Sequence, residues 1–318
     1  MKEEILNLLR KSPAYLSGEE ISRHFKVSRA GIWKCIQELK KDGYEIEAVP
    51  HCGYKLICAP DKLFPEEIQA GLNTKFFGKK IFHFEMVDST MDAAFNLAVH
   101  GANEGTLVVA EGQQRGRGRM GRAWLSPKGK GIYFSLILRP KIMPNEAPKL
   151  TILTAVSVAE AVRKATGLLS LIKWPNDILI AEKKLGGILT ELHAEVDRIK
   201  FVIIGVGLNV NIKKTQLPFR ATSIKNELSK PFSRVELLQQ ILKEMEDNYL
   251  LYIKEGFQPI IEQWKHLSAT LGKRIKVTSI GKDIEGVALD VDSDGGLLVR
   301  LDSGFVQRII SGDVVGIR

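Results

Sequence analysis

Apolar positions in the first sixty residues follow a helical period that then gives way to alternation. Ile5, Leu6, Leu8 and Leu9 mark a short amphipathic helix behind an acidic first turn. Ser17 caps a second helix over 18–25, with Ile21 and Phe25 on one face and Glu20 at the capping-box position. Lys26-Val27 turns the chain, and Ser28 caps a third helix running to about Lys41, with Ile32, Cys35, Ile36 and Leu39 facing inward. Gly43 stops it, and 44–49 and 53–57 read as two short strands joined by Pro50-His51-Cys52.

Helix, helix, turn, helix, hairpin is the order of a winged helix-turn-helix, with the helix-turn-helix at about Gly18 to Gln37. The third helix would enter the major groove, which makes Ser28, Arg29, Ala30, Trp33 and Lys34 the candidate DNA contacts. A packing or protein-docking module is the alternative; the basic outer face of the helix favours DNA. Pro60-Asp61-Lys62 reads as a linker, so a first domain covers 1–62.

The next pattern is mixed. A helix begins at Pro65, and 80–87 is a strand in which His83 alternates with apolar neighbours, as a sheet-surface histidine does. Asp88-Ser89-Thr90 caps a helix to about Val99; three polar groups at a strand-to-helix switch also form a ligand-orienting edge. Strands at 106–110 and 132–138 bracket Ala110-Glu-Gly-Gln-Gln-Arg-Gly-Arg-Gly-Arg-Met-Gly-Arg-Ala-Trp124, a glycine-spaced loop with four arginines. The glycines allow positive φ and close backbone approach, and the arginines supply forks for phosphate or carboxylate. Gly116-Arg-Gly118-Arg-Met-Gly121 satisfies the dinucleotide fingerprint as a pattern, but Pro127, Gly129 and a strand follow where that motif needs a helix. A central helix spans 150–165, then 172–180 and 185–192 form a hairpin with a Pro-Asn-Asp corner at one end and Lys183-Lys184 at the other. The strand 201–211 carries Gly205 and Gly207, which leave room beside its backbone.

A long amphipathic helix (234–255) and a second helix (257–266) follow. From Gly272 the pattern turns to four short strands, at 274–278, 285–291, 297–301 and 305–310, separated by Asp-Gly and Ser-Gly turns, which suggests a small SH3-like barrel. The domains are therefore 1–62, 63–270 and 271–318 in an α+β multidomain chain.

Composition adds little to this. The 44% hydrophobic and 26% charged content excludes a disordered chain, and a net charge of +9 suits a polyanionic partner without selecting one. Three cysteines match no metal spacing and read as reduced thiols, the N-terminus is too charged for a signal peptide, and no run is long enough for a membrane helix. A cytoplasmic protein without membrane association is expected.

Asp88-Ser-Thr, Gln113…Gly-Arg-Gly-Arg…Gly-Arg-x-Trp124, Lys173-Trp-Pro-Asn-Asp177, Lys184-Leu-Gly-Gly-Ile-Leu-Thr-Glu191 and Gly205-x-Gly-x-Asn-Val-Asn211 occur in the order seen in biotin protein ligases. The chain resembles these over nearly its whole length, and with its N-terminal winged helix it resembles the bifunctional subclass, ligase plus biotin-operon repressor. The resemblance implies a central mixed α/β ligase domain related to class II aminoacyl-tRNA synthetases. It implies biotin near Ser89, Thr90, Met91 and Gln113, with Gly186 and Gly205 making space. Arg117, Gly118, Arg119 and Lys184 would meet the carboxylate and phosphates, with Arg119 retaining the adenylate, and Trp124, Asn176 and Asn209 would lie near the nucleotide. Mg²⁺ would accompany ATP, and Asp177 is a candidate to hold it, with a structural role in the Pro-Asn-Asp turn as the alternative. Two positions depart from the pattern: Met91 stands where an amide is frequent, and Met120 where another arginine is. The partners implied are a biotin carboxyl carrier protein, operator DNA and, with biotinyl-AMP bound, a second copy of the chain. A monofunctional ligase and a non-catalytic ligand sensor are the alternatives.

Overall fold

Two serine caps set the N-terminal unit of the computed structural model, which describes residues 1–195, 198–279 and 282–316. Helix α1 (Lys2–Lys11) buries Ile5, Leu6 and Leu9. Helix α2 (Gly18–Phe25) begins where Ser17 accepts a hydrogen bond from the Glu20 N–H and ends on Lys26 in the left-handed region. Helix α3 (Arg29–Asp42) begins at Ser28, whose Oγ accepts from the Gly31 N–H, and stops at Gly43 (φ 104°). Its buried residues are Ile32, Cys35, Ile36 and Leu39, the set the period predicts, leaving Arg29, Ala30, Trp33 and Lys34 exposed. Arg29 pairs with Glu19 of α2 at 2.5 Å, so its charge is shared between the two helices. Strands β1 (Glu45–Val49) and β2 (Gly53–Cys58) pair antiparallel around a turn at His51. Residues 1–62 form one compact unit and 63–318 another.

The second unit opens with α4 (Pro65–Ala70), β3 (Ile81–Phe84), α5 (Thr90–Val99), β4 (Leu107–Ala110) and β5 (Gly131–Leu138). It continues through α6 (Ala147–Thr166), β6 (Ser170–Lys173), β7 (Asp177–Ile180), β8 (Lys183–Glu195), β9 (Arg198–Asn209) and the short α7 (Ile224–Leu228). Among the described residues these strands form a seven-stranded sheet, ordered β3-β4-β5-β9-β8-β7-β6. The β3–β4 pair is parallel and the remaining pairs are antiparallel. Every residue of β5 is buried, as a central strand covered on both sides requires. Alternation separates the two coverings: Leu107, Val109, Leu136 and Leu138 join one core, while Val108 and Ile137 join Met91, Ala94 and Ala98 of α5 in another.

Helices α8 (Arg234–Glu255) and α9 (Gln258–Leu267) pack into the first core with α6. Strands β10 (Arg274–Ser279), β11 (Lys282–Val291), β12 (Leu297–Arg300), β13 (Val306–Ile309) and β14 (Asp313–Gly316) form an antiparallel sheet ordered β13-β12-β11-β10-β14. The pattern predicted four of these strands. The fifth, β14, is four residues long behind a Ser-Gly pair, too short for alternation to reveal, and it completes the edge beside β10. Ile275, Val277, Ala288, Leu297 and Val299 of this sheet lie in the same core as Leu150, Ile152, Trp174 and Trp264. The Trp174 Nε1–H donates to Gly295 O at 3.0 Å across that junction. Among the described residues no helix is long and apolar enough to cross a membrane.

One buried ion pair ties the unit together. Glu111, the residue after β4, is 2% exposed, and its Oε2 lies 2.8 Å from Nη1 of the equally buried Arg234 on α8. Its Oε1 accepts from the Leu63 N–H at 2.7 Å. Burial pushes this carboxyl up, but His83, Arg234 and the Leu63 N–H outweigh it and hold the group down at about 2.

Candidate functional site

The arginine loop connects β4 to β5, two neighbouring antiparallel strands, so both of its ends are anchored in the sheet. Within it, Trp124 N–H donates to Gly116 O at 2.8 Å and Gly118 N–H to Arg122 O at 2.7 Å, folding the segment into a narrow hairpin. The glycines serve different purposes here. Gly121 has φ 70°, whereas a Cβ on Gly116 would sit 2.7 Å from Trp124 O, so close approach and not handedness demands that glycine. Met120 takes the left-handed turn at the tip (φ 56°) and is exposed.

Under this hairpin lies a cavity of about 390 Å³. It is lined by Ser89, Thr90, Met91, Gln113, Arg117, Gly118, Arg119, Trp124, Asn176, Asp177, Lys184, Gly205 and Asn209, which the sequence assigned to one site. Thr90 is fixed by its N–H to Gln113 Oε1 (2.9 Å) and by Ser135, whose hydroxyl donates to Thr90 Oγ1 (2.9 Å). Gln113 Nε2 donates to Ser126 Oγ at 2.9 Å, so the amide orientation is set. Ser89 caps α5 by accepting from the Met91 N–H. The Met91 side chain is buried over Gly205, where a Cβ would approach its Sδ to 2.4 Å. Met91 thus supplies packing and a backbone group, and no side-chain hydrogen bond.

Gly186 does not line the cavity; Gly187 does. Neighbouring residues of β8 face opposite ways, and a Cβ on Gly186 would meet Leu208 and Gly207 O of β9 instead. Gly207, expected to leave room beside its strand, leaves it for Trp124: a Cβ there would lie 2.4 Å from the indole Nε1. Gly207→Ala is therefore expected to displace Trp124 at the ~1–3 kcal/mol that overpacking usually costs; a lower melting temperature and altered tryptophan fluorescence check this. The sequence also missed Lys173, the segment Leu217 to Ala221 and β14, all of which line the cavity.

Besides Arg220, which lines the cavity from the 217–221 segment, the charged groups fall into three clusters. Lys184 Nζ lies 2.6 Å from Asp177 Oδ1 and Lys173 Nζ 3.1 Å from Oδ2. Burial pushes the Asp177 carboxyl up, but the two ammonium groups outweigh this and hold it below its ordinary value. Lys184 also sits 5.5 Å above the Trp124 ring. Arg119 Nη1 donates to Asn176 Oδ1 and to Gly312 O, both at 3.1 Å, with Asp313 at 3.7 Å, and Arg122 pairs with Asp313. Arg117, which the sequence read as a ligand arginine, is bracketed by acids: Nε and Nη2 donate to Glu191 at 3.1 Å and Nη1 to Asp92 at 2.6 Å. The hydrogen bond to Glu191, ahead of that to Asp92, raises its pKa. Asn176 Nδ2 donates to Ile188 O and Asn209 Nδ2 to Thr222 O, which fixes both amides at the wall.

Asp177 does not fit the metal role first given to it. Both of its oxygens face lysine ammonium groups, which occupy the lone pairs a cation would need.

Residues 83–209 match the model of the biotin/lipoate A/B protein ligase family, residues 2–55 that of an HTH domain, and residues 270–315 that of the biotin protein ligase C terminal domain. Fold and site together define a ligase of the biotin/lipoate type joined to a helix-turn-helix module. The chain is 40% identical over 319 residues to the bifunctional ligase/repressor BirA of Bacillus subtilis, covering 99% of this chain and 98% of that one. It is 30% identical to BirA of Escherichia coli, covering 94% and 92%. The structure of biotin protein ligase from Aquifex aeolicus in complex with biotin and ATP matches 76% of this chain and 99% of its own, with a TM-score of 0.65 and 31% identity. The chain belongs to the biotin protein ligase family, in its bifunctional ligase/repressor branch.

Proposed function

We propose that the cavity beneath the arginine hairpin is where this chain makes and holds biotinyl-5′-AMP. The observation that carries the reading is convergence: a polar edge (Ser89, Thr90, Gln113), an aromatic face (Trp124) and cationic groups (Lys184, Arg119) line one cavity. Biotin's ureido ring meets the polar edge, whose amide and hydroxyls can donate and accept. Its carboxylate attacks the ATP α-phosphorus and pyrophosphate leaves. A lysine amine of a biotin carboxyl carrier protein then attacks the acyl carbon of the mixed anhydride, forming an amide and releasing AMP. No side chain of the enzyme has to act as nucleophile, so catalysis rests on alignment and on cationic groups placed where phosphoryl charge grows. Mg²⁺ enters with the ATP phosphates in this reading, and no step is assigned to Asp177 as its ligand.

Lys184 is the cation closest to the aromatic wall, and Lys184→Gln is expected to slow adenylate formation about 10²–10³-fold, the effect of removing one preorganised donor. Single-turnover release of labelled pyrophosphate measures it; an unchanged rate would remove Lys184 from the chemistry.

The N-terminal unit makes the chain a biotin-dependent repressor. Biotinyl-5′-AMP promotes pairing of two copies, which sets two α3 helices on two half-sites, with Ser28, Arg29, Ala30, Trp33 and Lys34 toward the DNA. The C-terminal sheet is read as an SH3-like barrel and the central domain as a relative of class II aminoacyl-tRNA synthetases; the meander β10–β13 with β14 returning to the β10 edge supports the first, and the largely antiparallel sheet the second. One experiment tests the whole. The chain is incubated with biotin, α-labelled ATP and a carrier domain, then assayed for operator binding with and without biotin. Absence of labelled adenylate and carrier overturns the enzyme reading, and DNA binding indifferent to biotin overturns the repressor reading.

A further inference from the structure

The three paired clusters at the cavity differ in sign, and Arg220 adds a further positive charge to its lining. Lys173 and Lys184 share one carboxylate, Asp177, and sum to one positive charge. Arg119 and Arg122 share Asp313 and also sum to one positive charge, and the closest acceptors of Arg119 are the neutral Asn176 Oδ1 and Gly312 O. Arg117 is the reverse. One guanidinium faces two carboxylates, Glu191 of β8 and Asp92 of α5, with three hydrogen bonds at 2.6–3.1 Å and a net charge of minus one. A carboxylate or phosphate brought to Arg117 meets the repulsion of both acids, while one brought between Lys184 and Arg119 meets two cationic clusters.

From this charge map we propose that Glu191 and Asp92 are positioning residues for ligation: they neutralise Arg117 and make it a strut that holds the hairpin down over the adenylate, leaving Lys173, Lys184 and Arg119 to carry the anion. The bidentate geometry supports a strut. Nε and Nη2 of Arg117 grip both oxygens of Glu191, a fork that fixes direction as well as distance. The anchors also come from two separate elements, the first turn of α5 and strand β8, so the loop is tied at two places in the fold. Arg117 itself bridges to Ala123 across the hairpin, so fixing it fixes both arms.

The proposal rests on reading the cavity as the biotinyl-adenylate site, and its test separates the two. Wild type, Glu191→Gln, Asp92→Asn, Arg117→Gln and the Arg117→Gln/Glu191→Gln double variant are loaded with labelled biotinyl-5′-AMP, and its release rate and the KM for biotin are measured. Thermal melting of each confirms folding, and the isosteric amides keep the shape of the anchors. A strut predicts that Glu191→Gln speeds release roughly tenfold, that Arg117→Gln, which loses the Asp92 bond as well, speeds it at least as much, and that the double variant is no faster than Arg117→Gln alone. Asp92→Asn gives a smaller increase. The opposite result sinks the proposal: Glu191→Gln tightening the adenylate or lowering the KM for biotin, as freeing a ligand-binding arginine would, or the two single effects multiplying in the double variant. Failure of the wild-type chain to retain adenylate would instead overturn the reading of the cavity.

Discussion

Arg119→Gly is expected to release biotinyl-5′-AMP about 10²-fold faster than wild type and to biotinylate bystander proteins as well as the carrier. The size follows from the loss of roughly 3 kcal/mol when one preorganised donor leaves a charged reacting group. The direction follows from what Arg119 touches. Its Nη1 joins the hairpin to Asn176 at the corner between β6 and β7 and to Gly312 O just before β14, so this one side chain pins the lid to two walls. Without it the mixed anhydride escapes, and exposed lysine amines of other proteins compete with the carrier. Labelling of serum albumin by the variant in the presence of biotin and ATP measures the leak. Albumin left unlabelled, with release unchanged, would mean that the lid is held by other contacts.

The second large effect concerns stability. Glu111→Gln removes the carboxylate facing the buried Arg234 guanidinium, and breaking a buried pair in this way costs about 3 kcal/mol or more. The melting temperature of the 63–318 unit falls by roughly 10 °C. The pH dependence gives an independent check. Because the folded-state pKa is depressed from 4.5 to about 2, the charge of Glu111 stabilises the native state fully above pH 4.5 and ceases to do so as pH falls toward 2. Wild type and Glu111→Gln therefore converge as the solution is acidified and separate at neutral pH. Urea unfolding at a series of pH values shows this; parallel curves would mean that Glu111 contributes packing alone.

The helices of the N-terminal unit were legible because their caps are chemical signals: Ser17, Ser28 and Gly43 mark ends that the backbone needs filled. The loop was legible as an anion site because its arginines and glycines have few other uses between two strands. What pattern could not supply is sign and partner. Arg117 and Arg119 are two residues apart and look alike in sequence, yet one faces two carboxylates from elsewhere in the chain and the other an amide and a carbonyl. Lys173 lay inside a motif without a role, and Gly207 was legible as making room but not for what, because the neighbour that gives each its meaning, Asp177 or Trp124, is decided by tertiary packing. The resemblance implied Gly186, but the irregularity at Leu185 of β8 turns Gly186 toward Leu208 and leaves Gly187 lining the cavity, which alternation along the strand does not reveal. Strand β14 escaped notice because four residues carry too little alternation, and with it went Asp313.

The core shared by the central and C-terminal sheets has a thermodynamic consequence. Since Ile275, Val277 and Leu297 are packed with Leu150, Ile152 and Trp174, neither sheet can lose its structure without exposing the other's apolar surface. Residues 63–318 are therefore expected to melt as one cooperative unit. Ligand bound under the hairpin raises that transition by mass action for the whole of 63–318. Amide protons in β11 and β12, which do not border the cavity, thus exchange more slowly when it is filled, and the C-terminal sheet reports occupancy of the site from a distance.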